Sequence, residues 1–272
     1  MNLYQKAKRL MRTYKIFPKK RLGQNFMVNE DFLQLMLSYA ALESSDVVLE
    51  VGAGFGFLTH FLAQKSKKVV AVEVDTRLVQ VLESELASLD NVKLIDGDIL
   101  EVTLPDFNKV VSNPPFSISS PLLFWLFNKT FDCAVLTFQK EFARRLDAEV
   151  GSKDYSRLTV STYYHAEVEL LDDVPKEAFY PQPDVDAVIV RLKPRKAPPF
   201  HVKDKKVLEE VVRTLFTQRN RKVRSAILRL LYRYGFEDRA ALKKANHMPF
   251  HNKRVRDLAP EDFGALANEL SA

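Results

Sequence analysis

Between residue 46 and about residue 193, short runs of β-branched and aliphatic residues alternate with stretches whose apolar positions recur at helical spacing. Residues 47–51, 69–73, 92–95, 109–112 and 133–137 read as strands, because continuous apolar runs this short suit strands buried on both faces. Residues 76–87, 121–127 and 140–147 read as helices between them. Such alternation predicts a parallel sheet joined by right-handed crossovers. Two later runs, about 158–169 and 185–192, have no helical pattern between them. They are expected to form an antiparallel pair closing one edge of the sheet. The stretch Lys193-Pro-Arg-Lys-Ala-Pro-Pro199 has three prolines, three charges and no periodicity, and reads as a linker. Beyond it the pattern is helical. Val207, Leu208, Val211, Val212, Leu215 and Phe216 form one apolar stripe, and Val223, Ile227, Leu230, Leu231 and Tyr234 a second, with Gly235 as a C-terminal stop. The predicted class is α/β, a Rossmann-like sheet with an antiparallel edge plus a small all-α C-terminal domain. The expected organisation is a basic segment 1–21, a domain over 22–195 and a helical domain over 200–272.

A chain of 272 residues, 46% of them apolar, is long enough for one large domain and a small one. No apolar run approaches the ~20 residues of a membrane span, and the basic N-terminus has no apolar stretch behind it, so no secretory signal is expected. The lone cysteine, Cys133, lies in the apolar run Cys133-Ala-Val-Leu136 and is expected to be a core thiol. These features point to a cytoplasmic enzyme, monomeric and without a structural metal.

Charge changes the picture through its distribution. Residues 1–21 carry eight Lys/Arg and no acid, residues 22–199 carry 17 Lys/Arg against 26 Asp/Glu, and residues 200–272 carry 16 against 9. Both ends are basic and the middle is acidic. A basic tail and a solvated helix face would produce this pattern, and so would a polyanion held by the ends while the middle does chemistry. On the second reading Lys19, Lys20 and Arg21 near the N-terminus would contact phosphates. So would Lys222, Arg229 and Arg233, which share one face of the second predicted helix.

Two motifs carry candidate chemistry. In Leu49-Glu-Val-Gly-Ala-Gly-Phe-Gly-Phe-Leu-Thr59 an apolar strand runs into Gly52, Gly54 and Gly56 before a helix. Glycines there allow a tight turn and close approach of a ligand. The spacing is not that of a dinucleotide fingerprint. The next strand ends at Glu73, whose carboxylate can accept bonds from both hydroxyls of a ribose, and Asp98 follows the third strand, where it can reach an adenine amine. Three such elements at successive strand ends point to a nucleoside ligand, although acids that only cap helices are the competing reading of each one. The second motif, Asn113-Pro-Pro-Phe116, follows the fourth strand. An amide oxygen on Asn113, the Pro114 carbonyl and the face of Phe116 suit a planar aromatic amine. A proline-rich turn with a buried Phe is the plainer alternative.

These motifs together resemble a class I S-adenosylmethionine methyltransferase that modifies amino groups. Lys20-Arg-Leu-Gly-Gln-Asn-Phe26, Gly151-Ser-Lys-Asp-Tyr-Ser-Arg-Leu158, Phe179-Tyr-Pro-Gln-Pro-Asp-Val185 and Phe216-Thr-Gln-Arg-Asn-Arg-Lys222 are similar to the KsgA family of ribosomal RNA adenine dimethyltransferases, over residues 17 to about 265. The resemblance implies S-adenosylmethionine as cofactor, held by Gln24, Asn25 and Met27 with Gly52, Gly54, Glu73, Asp98 and Asn113. It implies Phe179 as a cover for the target base opposite Phe116. The substrate it implies is the N6 amino group of adenosines, two adjacent ones in a 3'-terminal hairpin loop of small-subunit ribosomal RNA or its precursor particle. Where the family usually has Asn-Leu/Ile-Pro-Tyr, this chain has Pro114 and Phe116, so the stacking face stays and the phenol hydroxyl is gone. Met27 replaces the usual Leu. The competing functions are methylation of DNA adenine or protein glutamine, which the Asn-Pro-Pro-Phe motif also suits, and a mainly non-catalytic role in ribosome assembly.

Overall fold

The computed structural model describes residues 2–19 and 22–271. Lys20 and Arg21, two of the expected phosphate contacts, lie outside the described residues. In chain order the elements are α1 (Leu3–Thr13), β1 (Phe26–Met27), α2 (Glu30–Ala40), β2 (Val47–Val51), α3 (Phe57–Lys65), β3 (Lys68–Glu73), α4 (Thr76–Glu85), β4 (Val92–Asp96), β5 (Lys109–Ser112), α5 (Ser119–Leu126), β6 (Cys133–Gln139), α6 (Lys140–Arg144), α7 (Arg157–His165), β7 (Ala166–Val174), β8 (Phe179–Tyr180), β9 (Ala187–Pro194), α8 (Lys205–Phe216), α9 (Val223–Ala226), α10 (Leu228–Arg233), α11 (Asp238–His247) and α12 (Pro260–Leu270).

The predicted strands form one seven-stranded sheet of order β4-β3-β2-β5-β6-β9-β7. β2 pairs in parallel with β3 on one side and β5 on the other, and β5 with β6. β9 runs antiparallel to β6, and β7 lies beyond it at the edge, so the expected edge pair is present. The chain leaves β2 toward β3 and β4, then returns to β5 on the other side. That reversal opens a crevice at the carboxyl ends of β2 and β5, where open α/β sheets bind ligands. Core strand residues such as Val48, Leu49, Val70 and Val110 are fully buried. Cys133 is buried as expected, and burial pushes its thiol pKa up.

Two expectations are corrected. Residues 157–165, read as the start of a strand, form α7, and β7 begins only at Ala166. The β-branched Thr159, Val160 and Thr162 suggested a strand, but Ser156 starts a helix: its N–H donates to Thr159 Oγ1 at 3.1 Å, and Tyr155, Val160 and Tyr164 are buried. The second predicted C-terminal helix is two short ones, α9 and α10, meeting at Ile227; Gly235 ends α10 as predicted, with φ +84°. The basic N-terminus contains the helix α1. Asn2 caps α1 by accepting from Gln5 N at 2.9 Å, and Ala7, Leu10 and Met11 are buried in the large core.

The chain divides into two compact units, residues through Ala143 with Glu169–Pro194, and Arg144–Val168 with Arg195 onward. The segment 144–168, read from sequence as part of the 22–195 domain, therefore belongs with the helices: Tyr155, Val160 and Tyr164 share a core with Leu208, Val211, Ile227 and Leu230.

Candidate functional site

In the first unit the carboxyl ends of β2, β3 and β5 open into a cleft of about 610 Å³, counting its open mouth. Gln24, Asn25, Met27, Gly52, Gly54, Glu73 and Asn113 all line it, so seven of the eight expected cofactor contacts converge. The eighth, Asp98, is not among the lining residues. Its Oδ1 accepts from Leu100 N at 2.9 Å, at the start of a turn.

The glycine loop is built for close approach. Gly52 and Gly54 have φ +76° and +60°, and a Cβ on Gly52 would sit 2.8 Å from Pro115 Cδ. Glu73, at the end of β3, is 5% exposed. Its Oε2 accepts from Gly54 N at 2.9 Å, and its Oε1 from Val74 N at 3.0 Å and Asp75 N at 2.9 Å. Burial pushes its pKa up against these bonds. Both lone pairs of Oε1 are taken by these amides, and Oε2 keeps one lone pair for a ligand hydroxyl. Gln24 fastens the N-terminal segment beside it: Nε2 donates to Asp75 Oδ2 at 3.0 Å, and Oε1 accepts from Lys19 N at 2.8 Å. The hydrogen-bonded Arg77 guanidinium holds the Asp75 carboxyl below its usual range. Lys19 lies 3.6 Å from the same carboxylate, so its charge is partly engaged.

Asn113 stands at the other wall. Its Nδ2 donates to the Asn25 carbonyl at 3.2 Å, and its Oδ1 accepts from the buried Thr137 hydroxyl. These two bonds fix which way the amide faces and leave one lone pair of Oδ1 for a further donor. Pro114 is buried behind Asn113, and it is Pro115 that lines the cleft. Phe116 and Phe179 lie beside one another, ring centroids 6.0 Å apart and inclined at 68°. A base stacked between two rings needs about 7 Å between them at ordinary contact distances, so these two rings must part to hold one. Phe179 is positioned by the small sheet β1–β8, opposite Met27.

Three contributors were missed in the sequence. Glu50 is an acid inside the buried strand β2; it lines the cleft, and its Oε2 has no hydrogen-bond partner among the described residues. Burial, with the Glu73 charge adding and the Thr59 hydroxyl opposing, pushes its pKa up to about 8. Thr137 is a lone hydroxyl in the apolar strand β6. Phe26 lies 4.4 Å, ring to ring, from Phe55 and floors the glycine loop. An ionisable or hydroxyl side chain within an otherwise apolar strand was the available signal for the first two.

In the second unit Lys222, Arg229 and Arg233 are all exposed. Lys222 bridges to Arg254 through the backbone, which adds a cation beside it. Arg233 is ion-paired with Glu210, whose other oxygen accepts from Tyr234 at 2.9 Å. Two of the three expected contacts are thus unengaged by acids among the described residues. No cluster of His, Cys, Asp and Glu suited to a metal occurs among the described residues, and no helix is long and apolar enough to cross a membrane.

A family model described as ribosomal RNA adenine dimethylase matches residues 17–271. A probable ribosomal RNA small subunit methyltransferase A of Methanosarcina acetivorans is 43% identical over 91% of both chains. One of Methanopyrus kandleri is 42% identical over 95% of this chain and 94% of its own. Among solved structures, a dimethyladenosine transferase from Plasmodium falciparum is 30% identical with a TM-score of 0.78, covering 89% of this chain and 95% of its own. The 23S rRNA methyltransferase ErmE is 28% identical with a TM-score of 0.66, covering 91% and 100%.

Proposed function

The chain belongs to the ribosomal RNA adenine dimethylase family, whose members are S-adenosylmethionine-dependent methyltransferases, and from that premise we propose that it places two methyl groups in succession on N6 of adenosines in small-subunit ribosomal RNA. The targets are two adjacent adenosines of a 3'-terminal hairpin loop, presented by the RNA or a precursor particle in the cytoplasm. The observation that carries this reading is the fixed Asn113 amide, opening into the same cleft as Glu73 and the glycine loop.

The residues present fit the cofactor. Glu50 offers a buried, unpartnered oxygen suited to its cationic ammonium, and Glu73 Oε2 offers a lone pair for a ribose hydroxyl. Gly52 and Gly54 leave room for its chain. Bound there, the cofactor supplies a methyl group activated by a sulfonium. The residues of the chain then have four tasks. Asn113 Oδ1 accepts one N–H of the target amine, and the Pro114 carbonyl is assigned the other. These acceptors draw the amine nitrogen out of conjugation and stabilise the developing ammonium more than the ground state. Asn is no general base, so the nitrogen carries the new methyl group as an ammonium and its proton leaves to solvent afterward. Phe116 and Phe179 part to stack on the base, which must swing out of its RNA strand, at least cost from a loop.

The experiment is to give the protein small subunits lacking the modification, digest the RNA to nucleosides and measure N6,N6-dimethyladenosine. Label in DNA, in protein glutamine or in large-subunit RNA alone would replace this reading.

A further inference from the structure

The unit holding the cleft is acidic. Outside residues 1–21 it carries 11 Lys/Arg against 22 Asp/Glu, over residues 22–143 and 169–194. A polyanion approaching that cleft is repelled by most of the surface it meets. One face of α1 is an exception among the described residues. Its buried stripe is Ala7, Leu10 and Met11; Lys8, Arg9 and Arg12 fall within about 100° of one another on the opposite side, at 3.6 residues per turn. With Gln5 and Thr13 they line a shallow surface depression. Arg9 and Arg12 are exposed, and none of the three cations is ion-paired among the described residues. By contrast Lys6, on the flank of the helix, is bound to Glu85 at 2.6 Å.

The helix is also fixed beside the aromatic wall of the site. Tyr4 meets Tyr180 edge-on with centroids 5.2 Å apart, and Lys8 Nζ lies 4.4 Å from the Tyr4 ring centre and 5.6 Å from that of Tyr180. Tyr180 follows Phe179 in β8 and pairs with Phe26. The cationic face therefore begins next to the residue assigned to the target base, and it precedes the residues matched by the family model.

We propose that this face of α1, Lys8, Arg9 and Arg12, is an RNA contact surface that receives the sugar-phosphate backbone flanking the adenosine turned into the cleft. The proposal rests on the reading that Phe179 borders the target base. The contact is to phosphates and is independent of sequence; it positions the strand while the cleft selects the base.

The test is the salt dependence of binding to protein-free substrate RNA. Neutralising all three as Lys8→Gln, Arg9→Gln and Arg12→Gln should lower the slope of log affinity against log salt by about 2–3, at about 0.7–0.9 for each phosphate no longer neutralised. Cofactor affinity, helix content and turnover at saturating RNA should stay unchanged, while KM for RNA rises. Adding a cation to the same face, as Gln5→Lys, should raise the slope by about 0.7–0.9 and keeps the test valid if the triple variant folds poorly. Unchanged slopes in folded variants overturn the proposal. So does weakened binding to assembled subunits with an unchanged slope on bare RNA, which would assign the face to a ribosomal protein. If the wild-type protein methylates a different RNA, the small-subunit reading falls, and the salt slope on that RNA still decides the role of α1.

Discussion

Thr137→Val isolates the device that orients the Asn113 amide. The substitution keeps the β-branched shape at a fully buried position of β6 and removes only the hydroxyl that donates to Asn113 Oδ1. The amide is then held by the single 3.2 Å bond from Nδ2 to the Asn25 carbonyl. Oδ1 loses its donor, and a flipped amide would aim N–H groups at an amine that needs acceptors. Leaving one buried hydrogen-bonding group unsatisfied costs about 1–3 kcal/mol. At about 1.4 kcal/mol per decade that is roughly a 10- to 100-fold loss of turnover. Single-turnover transfer from methyl-tritiated cofactor at saturating RNA measures it, with calorimetry to show that cofactor affinity holds. Thr137→Ser restores the donor and should recover most of the rate. Turnover of the Val variant within twofold of wild type, or an equal loss in the Ser variant, would refute the orienting role.

Further outcomes are expected elsewhere. Glu50 keeps its proton up to about pH 8 in the folded chain and loses it near the ordinary carboxylate value when unfolded. The folded state therefore binds more protons between those limits, so stability of the cofactor-free protein should fall as pH rises from about 5 to 8; Glu50→Gln should flatten that slope in thermal unfolding, and an unaltered slope would mean the carboxyl is not buried as described. Glu73→Ala should lose about 2–4 kcal/mol of cofactor binding, read by calorimetry; unchanged affinity would put the ribose elsewhere. Neutralising Lys222 and Arg229 together should flatten the salt slope of RNA binding by about 1.4–1.8, and neutralising Arg233 should add less because Glu210 already pairs with it.

Much of this was legible in the sequence because the relevant signals are local. The strands of the parallel sheet are short apolar runs, the glycine loop and Asn113 sit at strand ends, and β3 ends at Glu73, so the topology alone brings them to one crevice. What was missed depends on residues far apart in the chain. Thr137 matters only because β6 lies beside β5, and Glu50 only because the strand that buries it also ends at the cleft. Residues 157–165 carry strand-like side chains, yet packing against the C-terminal helices makes them helical. The basic N-terminus hid a helix because charge dominates its composition while three spaced apolar residues decide its burial. Arg233 looked free because Glu210 is 23 residues away, on a different helix.

The central claim is that Asn113 presents an adenine amine of small-subunit ribosomal RNA for methyl transfer. The most direct measurement is nucleoside mass spectrometry of small subunits lacking the modification, after reaction with wild-type protein and with Asn113→Ala. The expected result is N6,N6-dimethyladenosine with the wild type, and formation slower by about two or more orders of magnitude with the variant, at nearly unchanged cofactor affinity. Near-normal dimethylation by Asn113→Ala, or wild-type label on any group other than N6 of adenine, would contradict it.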